Sequence, residues 1–569
     1  MGRSVPTDGR SVEPPETTRT GAAARCLLVR QGVMQLPAFS HQAEPVRQVP
    51  VSEKQSIVLA EMLAANRESA FGHAHELGKV RTIDDYRKAV PIRYQEEFAP
   101  WVQRMADGES RVLSCEPPIA FLASSGTLGV PKRTPVTRTY LERCYLPFYL
   151  EASARLIGLQ PEALGRSDSA LNLWQDWRGH GEGAYVGPSQ LDYRRLGVGA
   201  AGGSQAPWTY LPAEFDHSGP WDRAYLRLRI AVEHNLHFVI AINPAIAAAL
   251  PYQLDLWWPR LVEDLARGTV GGIPFGPPNP QRARQIESVA QRTGKLRPSD
   301  IWPELKAVLT WNSYIAELYL PSVLAEYGAT VRAVPAPIGS SEGLIALPTD
   351  PDRTDGPLAA STCLYEFVPA DGEISPDSPT RLAHELEAGQ DYHVVLSHLG
   401  GLYRCATRDI VSVTDHQEDT PWLSFAGRDS GAPAPGGAKV SEPQILRAMK
   451  GAVAATGMQI RNFTWAPQSD AHRLAIAFDR APAPADVTQF SRILDKELAS
   501  QSPAYRGARA ANRVGAATTL AVPNANFLAH WSGRVQDGER PPLVKDRVFQ
   551  RDIGIWTELT SEPLSGGGD

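Results

Sequence analysis

FLASSGTLGVPKRTPVT, running from Phe121 to Thr137, is the stretch on which the reading turns. An apolar run ending at Ala123 predicts a strand, after which the chain passes through Ser124, Ser125, Gly126, Thr127, Leu128, Gly129, Val130 and Pro131 to Lys132. Small residues let backbone N–H groups approach a polyphosphate, hydroxyls add donors, and a lysine adds positive charge. By composition this is a phosphate loop. It is not a Walker loop, because no Gly-Lys-Ser/Thr follows at the required spacing. Taken alone, it reads equally well as a surface turn that uses Gly and Ser for their backbone freedom.

Two later segments supply the acids that a nucleotide site needs. PAPIGSSEGLIALP, from Pro335, sets Ser340, Ser341, Glu342 and Gly343 between apolar runs. A carboxylate there can hold Mg²⁺ against phosphate oxygens, and the plainer alternative is a polar hairpin turn. GQDYHVVLSHLGGLYRCATRDIVSV, from Gly389, carries Arg404 and then Asp409 at the entry of a strand. Asp409 can accept hydrogen bonds from both ribose hydroxyls, or it can form a structural ion pair with Arg404.

In combination these segments are more specific. With VPIRYQEEFAPWVQRMADGE (from Val90), IWPELKAVLTW (from Ile301), YEFVP (from Tyr365) and GLYR (from Gly401), their order resembles the adenylate-forming superfamily of firefly luciferase and acyl-CoA synthetases. It is more closely similar to the Gretchen Hagen family of acyl-acid amido synthetases, over about Gln55 to Val548. The resemblance implies an α/β fold, with a large N-terminal adenylate-forming domain and a smaller, mobile C-terminal α+β domain. It assigns Ser124, Ser125, Gly126, Thr127 and Lys132 to phosphate binding, Ser341 and Glu342 to the nucleotide, and Glu342 also to Mg²⁺. Asp409 matches the ribose-binding aspartate and Arg428 the arginine before the interdomain hinge. Lys545, in PPLVKDR, matches the catalytic lysine of the mobile domain, with Lys439 as competitor.

The chemistry so implied is ATP-dependent conversion of a carboxylic acid to an acyl-adenylate, with transfer to an amine, for which an amino acid is one candidate. The alternatives are an acyl-CoA or ester-forming ligase, or a non-catalytic nucleotide- or acyl-binding relative. Departures from the family pattern are Arg408, where glycine is usual at a turn favouring φ > 0, Cys405 in place of an aromatic residue, and the absence of a glycine near Trp311, Asn312 and Ser313.

The rest of the chain fits a soluble enzyme. A formal charge of −6 over 569 residues, with 43% hydrophobic and 21% charged residues, gives no electrostatic reason to bind nucleic acid or an anionic membrane. The apolar run FVIAINPAIAAALPYQLDLWW, from Phe238, is broken by Asn243, Pro244, Pro251 and Asp255, so it predicts a buried strand followed by a helix rather than a membrane span. Cys26, Cys115, Cys144, Cys363 and Cys405 are scattered and suit a reducing cytoplasm. A monomer is expected. Residues 1–45 read as a disordered extension, 46–428 as the domain for ATP and acid, 429–440 as a Gly/Pro-rich hinge and 441–569 as the lid. His180 beside Asp176 and Glu182 reads as an exposed loop histidine or a general base. His234 and His237, three apart, lack a third ligand for a metal site.

Overall fold

The computed structural model describes residues 49–124, 132–148, 168–173, 185–187, 213–215, 217–429, 434–467, 470–539, 541, 544–545, 547–550 and 552–561, with 151 and 158. The fold is mixed α/β, as the resemblance implies. The helix Val51–Asn66 begins the described chain. It docks through Gln55, whose side-chain amide donates to Ala360 O (2.6 Å) and Cys363 O (2.9 Å) and accepts from Tyr365 N (2.7 Å). A later short helix, Ile83–Ala89, carries Asp84 and Asp85 in its first turn, yet neither is its cap. The cap is Thr82, which accepts from Asp85 N, while the Asp85 carboxylate accepts from Thr82 N.

A five-strand antiparallel path runs Asp355–Pro357, Thr420–Arg428, Leu402–Gln417, Asp391–His398, Leu364–Pro369, and the short strand Arg93–Tyr94 pairs in parallel with Cys405 and Ala406. Pro118–Ser124 pairs with Lys132–Thr137 and with Tyr185–Gly187 in a separate sheet. The third sheet is wholly parallel, in the order Arg332–Pro335, Ala307–Thr310, Phe238–Ile240, Ala170–Asn172. Its two central strands, Ala307–Thr310 and Phe238–Ile240, are mostly apolar and buried, as strands of a sheet covered by helices are. Asn243 ends the run after Phe238–Ile240 and caps the long helix Pro244–Arg267, so the interruption noted in the sequence is a strand-to-helix junction. No helix among the described residues is long and apolar enough to cross a membrane.

The C-terminal part has the expected α+β order. Ile460–Pro467 and His472–Phe478 are antiparallel, Thr518–Ala521 joins in parallel, and the helices Glu442–Thr456 and Pro484–Gln501 pack on each other. Two helices that the sequence reading did not place, Asn524–Gln536 and Ile553–Thr560, follow. The apolar interior of this part is continuous with that of the parallel sheet: one buried cluster runs from Leu171 to Phe549. Arg461 reaches across to Ser322 O (3.0 Å) and Glu326 (3.2 Å), and Arg447 to Asp391 (2.8 Å). In the observed arrangement the C-terminal part is therefore docked.

Candidate active site

The site lies at the carboxyl ends of the parallel strands, where open α/β sheets usually present ligand-binding loops. Trp311 N, just past Ala307–Thr310, donates to Ile242 O (2.9 Å), which places Trp311 beside Asn243. Past Arg332–Pro335 the chain forms the hairpin Ile338–Gly339/Leu344–Ala346. Glu342 sits in that turn. The hairpin expected as an alternative is thus real, yet the Glu342 carboxylate is buried and accepts from Ser341 Oγ (2.8 Å).

Asp409 comes from the antiparallel sheet, directly opposite Arg428 on the neighbouring strand. Arg428 Nε is 3.0 Å from Asp409 Oδ1. Burial alone would weaken the Arg428 charge, but Asp409, then Glu342 and Glu442, outweigh it and hold the guanidinium above its ordinary range. The alternative pairing of Asp409 with Arg404 is not formed. Arg404 instead binds Glu366, at 2.9 Å, with both side chains buried.

Arg408, at the position where glycine is expected, lies at a register irregularity inside the strand Leu402–Gln417, and its φ of +66° lies in the left-handed region. The expected φ > 0 is present, carried by a residue with a Cβ, but within a strand and not at a turn. Its guanidinium lies 4.0 Å from the Tyr94 ring centroid and 3.7 Å from Glu96, contacts that offset the backbone strain.

Glu442, in the first turn of its helix, connects both sides of the site. Its Oε2 accepts from Arg428 N (2.9 Å) and from Tyr314 OH (2.7 Å), and Tyr314 itself has φ of +64°. Gly427 permits this approach: a Cβ there would lie 3.0 Å from Glu442 Cβ and 3.1 Å from Pro443 Cδ. Burial raises the Glu442 carboxyl to about 7 against the opposing hydrogen bonds from Tyr314 and Arg428.

Lys545 completes the cluster. Its side chain is exposed, with Trp311, Arg428 and Asp409 walling its ammonium on the protein side. Its Nζ stands 5.1 Å from the Trp311 ring centroid. Desolvation by those walls, then repulsion from Arg428, bring its ammonium down to about 8, while Asp409 and Glu342 act in the opposite direction. Glu342, Asp409, Arg428 and Lys545, predicted from four separate segments, thus share one electrostatic neighbourhood. Lys439 does not join them: it is half-exposed, 3.6 Å from Glu373.

Ser124 and Lys132 face each other across a hairpin. Ser125, Gly126 and Thr127 fall outside the described residues, as do His180, Asp176 and Glu182. His234 pairs with Asp168 at 3.0 Å, and the described residues contain no group of three or more His, Cys, Asp or Glu that would hold a metal by itself. Sequence reasoning missed Tyr314, Glu442 and the role of Asn243. Only Asn243 announced itself, as Asn-Pro at the start of a helix.

Three family models match in series. They are the GH3 family N-terminal domain over residues 48–331, the central domain over 356–428 and the C-terminal domain over 443–545. The chain belongs to the GH3 family. Among curated relatives, an indole-3-acetic acid-amido synthetase of Arabidopsis thaliana, GH3.10, is 26% identical over 61% of this chain and 66% of its own length. A 4-substituted benzoates-glutamate ligase of the same plant, GH3.12, is 23% identical over 67% of this chain and 70% of its own. The fold matches the solved AtGH3.15 acyl acid amido synthetase in complex with 2,4-DB with a TM-score of 0.76, over 98% of each chain at 18% identity.

Proposed function

We propose that this protein activates a small carboxylic acid as its acyl-adenylate at the expense of ATP and transfers the acyl group to an amine, with an amino acid as the acceptor class. The observation that carries the reading is the convergence of Glu342, Asp409, Arg428 and Lys545 on one electrostatic neighbourhood. Family membership and the amido synthetase activities of the named relatives support it. The donor chemistry also fits Mg²⁺: a buried carboxylate, Glu342, offers hard oxygen, and Mg²⁺ is commonly held by one or two carboxylates together with substrate phosphates. Bound there, it would neutralise phosphate charge.

In the first half-reaction a carboxylate oxygen of the acid forms a bond to the α-phosphorus. The bond to the bridging oxygen breaks, and pyrophosphate departs with the electron pair. Lys545 offers positive charge as the pentacoordinate centre forms, and Lys132, at the end of the phosphate-loop hairpin, offers it to the leaving group. Asp409, oriented by Arg428, accepts from the ribose hydroxyls. In the second half-reaction the amine attacks the acyl carbon, loses a proton, and AMP leaves. The hinge and lid assignment, 429–440 and 441–569, belongs to this proposal. So does a cytoplasmic setting, in keeping with Cys115, Cys144 and Cys363 standing as thiols.

Pyrophosphate exchange into ATP, assayed with Mg²⁺ across a panel of carboxylic acids, tests the reading. Acid-dependent exchange is expected, and stoichiometric ADP would overturn it. Two predictions attach to the site. Asp409→Ala should weaken ATP binding by roughly 1.5–3 kcal/mol per lost charge-assisted bond, less where water substitutes. Calorimetry on the folded variant checks this, and unchanged affinity would leave Asp409 only its pairing with Arg428.

The second concerns pH. Lys545 works as a cation and titrates near 8 in the free enzyme, so kcat/KM for adenylation should hold below that value and fall about tenfold per unit above it. Lys545→Arg should remove the alkaline fall while lowering the plateau. An alkaline limb unmoved by that substitution would assign it to another group.

A further inference from the structure

Resting on the assignment of Lys545 to adenylation, we propose that Asn243 is a positioning residue that sets Lys545 in register for the first half-reaction. Asn243 is buried at the junction between Phe238–Ile240 and Pro244–Arg267. Its Oδ1 accepts from Ala245 N (3.1 Å) and caps the helix. Capping uses only that oxygen. The amide nitrogen is surplus to the cap and donates to Val544 O at 2.9 Å, across 301 residues of sequence, onto the residue immediately before Lys545.

The far side of the same segment is held by the C-terminal sheet. Thr464 Oγ1 donates to Arg547 O (3.0 Å) and Trp465 N to Val548 O (2.6 Å). Lys545 therefore lies on a short span fixed to the C-terminal part at one end and to the large part, through Asn243, at the other. Asn243 also stands beside Trp311, whose ring centroid lies 5.1 Å from the ammonium. One side chain thus ties the parallel sheet's carboxyl edge to the backbone that aims the lysine. This hydrogen bond exists only while the C-terminal part is docked, so it contributes to the adenylating arrangement and not to one in which Lys545 has moved away.

The cap and the clamp separate by substitution. Asp and Ser cap helices about as well as Asn. Asn243→Asp replaces the donor with an oxygen facing the Val544 carbonyl, and Asn243→Ser is too short to reach it. Both variants should keep the KM for ATP, and their unfolding temperature should fall by no more than the loss of one buried hydrogen bond. Both should lose about 10- to 100-fold in kcat for acyl-adenylate formation, the scale expected for a displaced catalytic group, while consuming supplied acyl-adenylate with an amine at the wild-type rate.

Lys545→Ala is assayed alongside. If it is slow in adenylation while both Asn243 variants are normal, the positioning role is overturned and the lysine assignment stands. If Lys545→Ala adenylates at the wild-type rate, the assignment itself falls and the inference with it. Equal losses in both half-reactions with a lowered unfolding temperature would overturn the positioning role and leave the Asn243–Val544 hydrogen bond a purely structural one.

Discussion

Lys545→Ala is expected to slow acyl-adenylate formation by about 10²-fold or more, the scale seen when one preorganised charge-stabilising group is removed from an active site. The loss should fall on one half-reaction. Lys545 is carried on the C-terminal part and shares the electrostatic neighbourhood of Asp409, Glu342 and Arg428 in the observed arrangement; with the lysine serving only the first step under the proposed mechanism, consumption of a supplied acyl-adenylate by an amine should change little. Single-turnover assays of the two steps check this. Equal loss in both would show that the lysine serves the fold or the nucleotide in general.

The second large effect is on stability. Glu366 is buried and accepts from Arg404 Nε (2.9 Å), Arg87 Nε (3.0 Å) and Thr380 Oγ1 (2.5 Å). Arg404 also donates to Val90 O (2.8 Å), tying the segment Val90–Ile92 to the antiparallel sheet. Glu366→Ala leaves the buried Arg404 guanidinium without its carboxylate, which costs about 3–5 kcal/mol in such settings. A marked fall in the unfolding midpoint is expected, against a midpoint near wild type for Lys545→Ala. Equal midpoints for the two variants would show that Glu366 contributes little and that water or another acid compensates.

That ion pair also shows where the sequence stops being legible. Arg404 and Asp409 lie five residues apart on one strand, but the strand is irregular between them, with Arg404 and Arg408 both at positive φ, so simple alternation does not tell which way each side chain turns. Their true partners come from other strands of the sheet, Arg428 from the neighbouring strand and Glu366 from the next but one. Strand pairing decides such contacts, and local spacing does not encode it. The reverse holds for Leu364–Pro369 and His472–Phe478, strands whose runs of apolar residues are a local signal that needs no partner strand to be read. The acids Glu342 and Asp409 were legible because turn residues and strand ends mark them locally. Glu442 and Tyr314 were not: they meet across 128 residues, at a contact that forms only once the C-terminal part docks. Arg408 was legible as a backbone position with φ > 0, but its Tyr94 contact was not.

Between Lys545 and Lys439 the sequence left a choice, because both follow a Gly/Pro-rich or Pro-rich run and both carry the required charge. The structure groups Lys545 with Glu342, Asp409 and Arg428 and sets Lys439 against Glu373 at the surface. This favours Lys545 for the charge-stabilising role on geometry, and the half-reaction assay of Lys545→Ala puts it to a kinetic test.

The most direct test of the central claim is the fate of the acyl group. Enzyme is allowed to form the acyl-adenylate from Mg²⁺, ATP and a competent acid, freed of excess ATP, and divided between amino acids and CoA, with AMP and acyl product measured in each portion. Amino acid is expected to release one AMP for each amide formed, with CoA leaving the adenylate intact. Release by CoA alone, with a thioester as the product, would contradict it.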